Sequence, residues 1–216
     1  MKLQKTNLIG ISGHINSGKD LAGTLLQKKY SRQNFQIKKF ADKLKERIAY
    51  TWNISRESLE DREFKDMLSP LGISWRELMQ REGVKMREID PDYWVKALFS
   101  EFNSYWNDPS PIEGNNYKIN SLRNMGEDVF GITYNNGISE AEVYKNEIIH
   151  PKWIITDVRF PNEAISIKER NGTLIRINRP SLEKDTHISE TALDDYTDWD
   201  YVIENNSTLK NFIQKF

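Results

Sequence analysis

The sequence contains no cysteine. That absence excludes disulfides, thiolate metal sites and a cysteine nucleophile, and it accords with a reducing compartment. Histidine is nearly as scarce: His14, His150 and His187 are the three, and they fall at no metal-ligand spacing. An excess of one charge sign is also missing, since 31 Lys and Arg face 32 Asp and Glu. No overall field draws such a chain to nucleic acid, and no basic stripe does so locally, so stable nucleic-acid binding is not expected. Long apolar runs are lacking too. The opening MKLQKTNLIGISG holds only a short one before a glycine-rich turn. Neither a signal peptide nor a membrane span is expected, and the expected location is cytoplasmic.

The residues that are present have a globular profile. Hydrophobic residues make up 38% and charged residues 29% of 216, enough chain and enough apolar content for one domain with a proper core. Asn7 to Ser12 is a short apolar run that predicts a buried strand, and DLAGTLLQKKYS predicts a helix after it. A second strand is expected over Phe35 to Phe40. A helix should follow from about Asp42 to Trp52, where Leu44, Ile48 and Trp52 recur every four residues. Ser74 and Glu77 form a capping-box pattern ahead of another helix. Asp90, Pro91 and Asp92 resemble a further start, leading into YWVKALFSEF.

Residues 103–150 differ in composition. They are rich in Asn, Gly, Ser and Pro and predict a loop-rich insertion with one short helix after Ser139. Trp153 to Val158 then predicts a buried strand, Pro161 to Asn171 a helix closed by Gly172, and Thr173 to Ile177 another strand. A last strand is expected at Tyr201 to Glu204, with Ser207 capping a terminal helix. Strands alternating with helices predict an α/β fold with a mainly parallel sheet, formed by a single domain over 1–216.

The segment Gly13-His14-Ile15-Asn16-Ser17-Gly18-Lys19-Asp20 matches G-x-x-x-x-G-K between a strand and a helix, the context a phosphate-binding P-loop requires. Phosphate oxygens need many donors at close range, and a glycine-rich turn lets successive backbone N–H groups point inward. The helix behind adds its positive end. Lys19 is expected to bring its ammonium to the β- and γ-phosphates of ATP. Asp20 stands where Ser or Thr usually holds Mg2+, which makes it the candidate metal ligand. A turn that merely joins strand to helix is the bland alternative.

Ile154-Ile155-Thr156-Asp157 is an apolar strand ending in a carboxylate, with Arg159 two residues on and Glu163 in the next helix. Ligands of open α/β sheets sit outside the carboxyl ends of the strands, so these three are candidates for the same crevice. A helix-capping Asp157 and an ordinary Arg159–Glu163 ion pair are the structural alternative.

GHINSGKD, FADKLK, WRELMQREG, DPDYWVKAL and ITDVRFPNEA together resemble the phage deoxynucleoside monophosphate kinases, over most of the chain except residues 103–150. The resemblance implies a three-layer P-loop kinase fold around a five-stranded parallel sheet, and transfer of the ATP γ-phosphate to a deoxynucleoside monophosphate with Mg2+. It places Asp157, Arg159 and Glu163 at acceptor-binding positions, with Arg76, Gly83, Arg87 and Trp94. Val84 replaces a common threonine, removing one hydroxyl contact. The resemblance also implies a small lid over about 179–190, with Arg176 or Arg179 covering the transferring phosphate, and Asn205 near adenine.

Lys19, Arg159 and Arg179 are thus the expected catalytic residues. Core packing for Trp94, a solvated surface for Arg76 and a structural hydrogen bond for His187 remain open readings. So do a dephospho-coenzyme A or phosphomevalonate kinase-like enzyme, and a nucleotide-binding regulatory module. The sequence leaves the oligomeric state open, a homodimer included.

Overall fold

A computed structural model of the chain describes residues 6–103, 129–135, 138–144, 151–180 and 188–216. Two compact units emerge, one formed by Met1–Phe102 with Pro151–Phe216, the other by Asn103–His150. The larger carries β1 (Leu8–Ser12), α1 (Lys19–Lys29), β2 (Gln36–Lys38), α2 (Phe40–Trp52), α3 (Arg62–Asp66), α4 (Trp75–Ile89) and α5 (Tyr93–Asn103). In the smaller, β3 (Val129–Asn135) and β4 (Ile138–Tyr144) follow. The larger unit resumes with β5 (Trp153–Val158), α6 (Pro161–Glu169), β6 (Thr173–Asn178), α7 (Ile188–Thr191), β7 (Tyr201–Glu204) and α8 (Leu209–Ile213).

Five strands of the larger unit form one parallel sheet in the order β2-β5-β1-β6-β7. This is the α/β architecture expected, and the apolar pattern explains it. β1 and β5 are buried at every position, as central strands covered on both faces must be. Alternation then sorts their side chains between two cores. Leu8, Trp153, Ile155 and Leu174 pack with Leu98, Phe99 and Ile167, from α5 and α6, on one face. Ile9, Ile11, Ile154 and Ile175 pack with Ala22, Leu26 and Phe212, from α1 and α8, on the other. A third cluster joins α2 and α4 through Ile48, Ala49, Trp75 and Leu78. Among the described residues, no helix is long and apolar enough to cross a membrane.

Some boundaries differ from expectation. α2 begins at Phe40 rather than Asp42, because Asp42 sits inside the first turn and accepts the Lys39 N–H at 2.9 Å. β2 is correspondingly short. The terminal helix is capped by Thr208, whose hydroxyl accepts the Asn211 N–H at 3.3 Å, and not by Ser207. Where a short helix was expected after Ser139, the described residues Ile138–Tyr144 form a strand instead. β3 and β4 pair antiparallel from Val129↔Tyr144 to Asn135↔Ile138. Asn136-Gly137 between them is the dipeptide that favours tight hairpins, and the flanking Ile and Thr prefer strands. Within the expected lid, residues 181–187 lie outside the described residues, as do His150 and His187.

β1 is the strand at which the sheet order reverses. After it the chain crosses to β2 and returns through β5 on one side, then places β6 and β7 on the other. The carboxyl end of such a strand opens the crevice where ligands of doubly wound sheets bind.

Candidate active site

The phosphate loop leaves β1 at that crevice. Gly13 is required by close approach: a Cβ there would lie 2.4 Å from the Ser17 hydroxyl and 2.7 Å from the Ile177 carbonyl. Asn16 and Gly18 adopt left-handed backbone, with φ 61° and 102°, a conformation that asparagine and glycine tolerate. Ser17 donates its N–H to the His14 carbonyl at 3.1 Å, and the first bond of α1 runs from Ala22 to Gly18. The amides of Lys19, Asp20 and Leu21 therefore lie ahead of the helical ladder, at the positive end of α1.

Lys19 donates from Nζ to the His14 carbonyl at 3.1 Å. Burial lowers its pKa, and the Arg159 charge adds to the effect. Asp20 pairs with Lys39 at 2.8 Å and accepts from the Thr156 hydroxyl at 3.1 Å. Burial alone would raise its pKa, but the bond to Lys39 and the bond from Thr156 hold it below the ordinary value.

A cavity of about 980 Å³ opens beside this loop. On its donor side are Ile15, Asn16, Gly18, Lys19 and Asp20. Across from them lie Asp157, Arg159 and Glu163, and α4 with α5 contributes Arg76, Gly83, Val84, Arg87 and Trp94. Ile15, Asn16, Gly18, Lys19 and Asp20 thus share one cavity with the residues expected on the acceptor side, and Arg179 joins them, donating to the Asn16 carbonyl at 3.0 Å.

Most acceptor-side residues already have structural partners. Asp157 accepts the N–H groups of Phe40 at 2.8 Å and Ala41 at 3.0 Å, so it caps α2 from the end of β5. Burial raises its pKa, offset in part by those two donors. One oxygen of Glu163 accepts the N–H groups of Arg159 at 2.7 Å and Phe160 at 3.1 Å, closing the first turn of α6. Its other oxygen lies 3.7 Å from the Arg87 guanidinium. Only 2% exposed, Glu163 has its pKa raised to about 7 by burial and then by the Asp157 charge. An Arg159–Glu163 side-chain pair does not form; Arg159 pairs with Glu190 instead.

The Gly83 carbonyl accepts from both Arg87 and Trp94, each at 3.1 Å. Trp94 is 3% exposed and meets Tyr93 edge to face at 4.8 Å. It is packed in the core and also lines the cavity. Arg87 stacks over the Phe160 ring at 4.2 Å. Val84 is exposed, and Arg76 is paired at the surface with Asp66 at 2.9 Å.

Gly13, His14, Ser17, Arg176 and Asn205 were also expected at the site but do not line the cavity, and Ser17 is fully buried. The His14 ring meets Asp194 at 3.1 Å. The Asn205 amide donates to the Ser17 carbonyl at 2.9 Å, bracing the loop from β7. Arg176 points away from the cavity, tied to Ser12 at 3.0 Å and Asp194 at 3.1 Å. Alternation along β6 puts it on the same face of the sheet as Leu174, where its guanidinium lies over the Trp199 ring at 5.6 Å. Of the two, Arg179 lines the cavity.

Lys39, Phe160 and Glu190 were not singled out by motif reasoning. Lys39 follows directly on β2, so the rule of strand carboxyl ends could have found it. Glu190 becomes visible only through its contacts across the fold.

A phosphate loop facing a basic crevice at the carboxyl edge of a five-stranded parallel sheet defines an α/β protein of the P-loop class. Comparison with known proteins specifies it further. The profile of the family described as deoxynucleotide monophosphate kinase matches residues 133–216. A protein of Acanthamoeba polyphaga mimivirus, assigned as a deoxynucleotide monophosphate kinase, is 30% identical over 214 residues, covering 95% of this chain and 91% of that one. The crystal structure of TT1252 from Thermus thermophilus aligns over 97% of this chain and 93% of that chain, with a TM-score of 0.42 and 13% identity; the assignment rests on the mimivirus relative. The chain belongs to the deoxynucleotide monophosphate kinase family.

Proposed function

We propose that this protein transfers the γ-phosphate of ATP to a deoxynucleoside monophosphate, giving ADP and the deoxynucleoside diphosphate. The observation that supports the reading best is one cavity shared by the Lys19 loop and the Arg159–Glu163 crevice. Donor and acceptor held there would turn a bimolecular encounter into a positioned one.

In the reaction, an oxygen of the acceptor phosphate forms a bond to the γ-phosphorus, and the bond from that phosphorus to the bridging oxygen of ADP breaks. The attacking oxygen is already ionised near neutral pH, so no strong base is needed and catalysis comes from alignment and charge neutralisation. Lys19 and the loop amides hold the donor. Arg159, with Arg87 and Arg76 nearby, holds the acceptor phosphate, while Trp94 and Phe160 wall the base. Arg179 reaches over the loop toward the charge that develops on the transferring group.

Two hard oxygen donors, the Asp20 carboxylate and the Thr156 hydroxyl, lie 3.1 Å apart beside the loop. Mg2+ is bound by one or two such groups together with substrate phosphates, so this pair fits, once Asp20 releases Lys39. When bound, Mg2+ neutralises charge on the donor phosphates. Asp20→Asn should therefore shift the Mg2+ dependence of turnover to higher concentrations; an unchanged dependence would remove Asp20 from that role.

The deciding experiment is ADP release with ATP and each common deoxynucleoside or ribonucleoside monophosphate. Release that depends on a deoxynucleoside monophosphate supports the reading. ATP binding without it would favour a regulatory module, and release only with another small phosphorylated acceptor would favour a different P-loop kinase.

A further inference from the structure

Glu190 holds an unusual position. It lies in α7, far along the chain from the phosphate loop, yet is only 8% exposed. Each of its two carboxylate oxygens serves a different part of the cavity. Oε2 accepts the Ile15 N–H, in the shoulder of the phosphate loop, at 2.6 Å. Oε1 accepts from Nη1 of Arg159, the cation on the acceptor side. Ser189, beside it in sequence, lies 3.4 Å from the same guanidinium nitrogen.

We infer that Glu190 is a positioning residue for phosphoryl transfer: it ties Arg159 to the donor loop and so sets the distance between the acceptor cation and the transferring phosphate. This rests on the phosphoryl-transfer reading of the site. The chemistry favours a tether over a plug. Glu190 occupies the Ile15 amide, while the amides of Lys19, Asp20 and Leu21 at the start of α1 stay ahead of the helical ladder. The loop therefore keeps its phosphate cradle with Glu190 in place. Arg159 likewise keeps donors beyond Nη1, since a guanidinium carries five N–H groups in a planar fork. A carboxylate with both oxygens used is a rigid, charge-assisted bridge, and a misplacement of about 1 Å is enough to cost ~100-fold in a positioned reaction.

The test is steady-state kinetics on the full chain with ATP and its best monophosphate acceptor, for wild type, Glu190→Gln, Glu190→Ala, Arg159→Ala and the Arg159→Ala/Glu190→Ala double variant. Glutamine keeps the size of Glu190, but its amide nitrogen cannot accept, so one of the two bonds is lost. Both Glu190 variants are expected to raise the acceptor KM about tenfold and to lower kcat, as loss of a charge-assisted bond does. The ATP KM should stay within about threefold. In the Arg159→Ala background, removing Glu190 should add less than about twofold, because coupled residues are not additive. A packing role predicts a silent Glu190→Gln and full additivity, and either result overturns the inference. A rise in kcat/KM on removing Glu190 also overturns it, because Glu190 would then be a plug. A wild type inactive with every monophosphate overturns the proposed function, and this inference with it. An active wild type with unaffected Glu190 variants overturns the inference alone.

Discussion

Glu163 carries the clearest consequence at the scale of single residues. Its carboxyl is buried, and its pKa is raised from an ordinary 4.5 to about 7. Between those values the folded protein keeps a proton that the unfolded chain has released. Stability from this group is thus fully present below about pH 4.5 and is lost as pH rises through 7. The loss is on the order of 3 kcal/mol at ~1.36 kcal/mol per unit. Glu163→Gln should remove this slope, because both backbone N–H groups go to a single oxygen that glutamine retains. Urea unfolding at pH 5 and pH 8 checks it: wild type should lose more stability than the variant across the interval, and parallel losses would contradict the burial argument. Arg159→Ala belongs to the same scale. Loss of a hydrogen bond to a charged group, worth ~1.5–3 kcal/mol, should raise the acceptor KM about tenfold to a hundredfold and leave the ATP KM nearly unchanged. Acceptor kinetics untouched by this change would remove Arg159 from the acceptor site.

Elements position these residues through close contacts. α1 lies against β5 at Gly23, where a Cβ would fall 2.4 Å from the Thr156 γ-methyl. Thr156 also holds Asp20, and a β-branched side chain has little freedom to yield. Gly23→Ala should cost about 1–3 kcal/mol by overpacking, measured as a lower urea midpoint, and should weaken ATP binding along with it. An unchanged midpoint would mean that α1 can shift freely on the sheet. The legibility of elements in the sequence follows the same logic of local against distant cause. β1, β5 and α1 were readable because continuous apolar runs and a glycine-rich turn are local signals. The start of α2 was not, since it depends on Asp157, 117 residues from Phe40. The β3–β4 hairpin was hidden by a polar composition that also describes loops.

For the whole molecule, the sequence placed the phosphate loop and the Asp157–Glu163 strand end correctly in one α/β sheet, and family resemblance supplied the α4–α5 wall. Arg176, expected with Arg179 over the transferring phosphate, is instead tied to Ser12 and Asp194, and Glu190 escaped because its reach from α7 to the loop has no local signature. Ligand binding should register on global stability. ATP at about 100 times its Kd should raise the unfolding free energy by about 2.7 kcal/mol, seen as a higher urea midpoint; Lys19→Met should abolish most of that gain, and an equal gain in the variant would deny Lys19 its phosphate. The central claim, γ-phosphate transfer to a deoxynucleoside monophosphate, is tested most directly by ADP release with ATP and a panel of deoxynucleoside monophosphates, comparing wild type with Lys19→Met. The account predicts release in wild type that depends on at least one of these acceptors, and a fall of about 10²–10³-fold in the folded variant, the typical cost of losing one electrostatic contact to the transition state. Release independent of every deoxynucleoside monophosphate, or near-normal turnover in Lys19→Met, would contradict it.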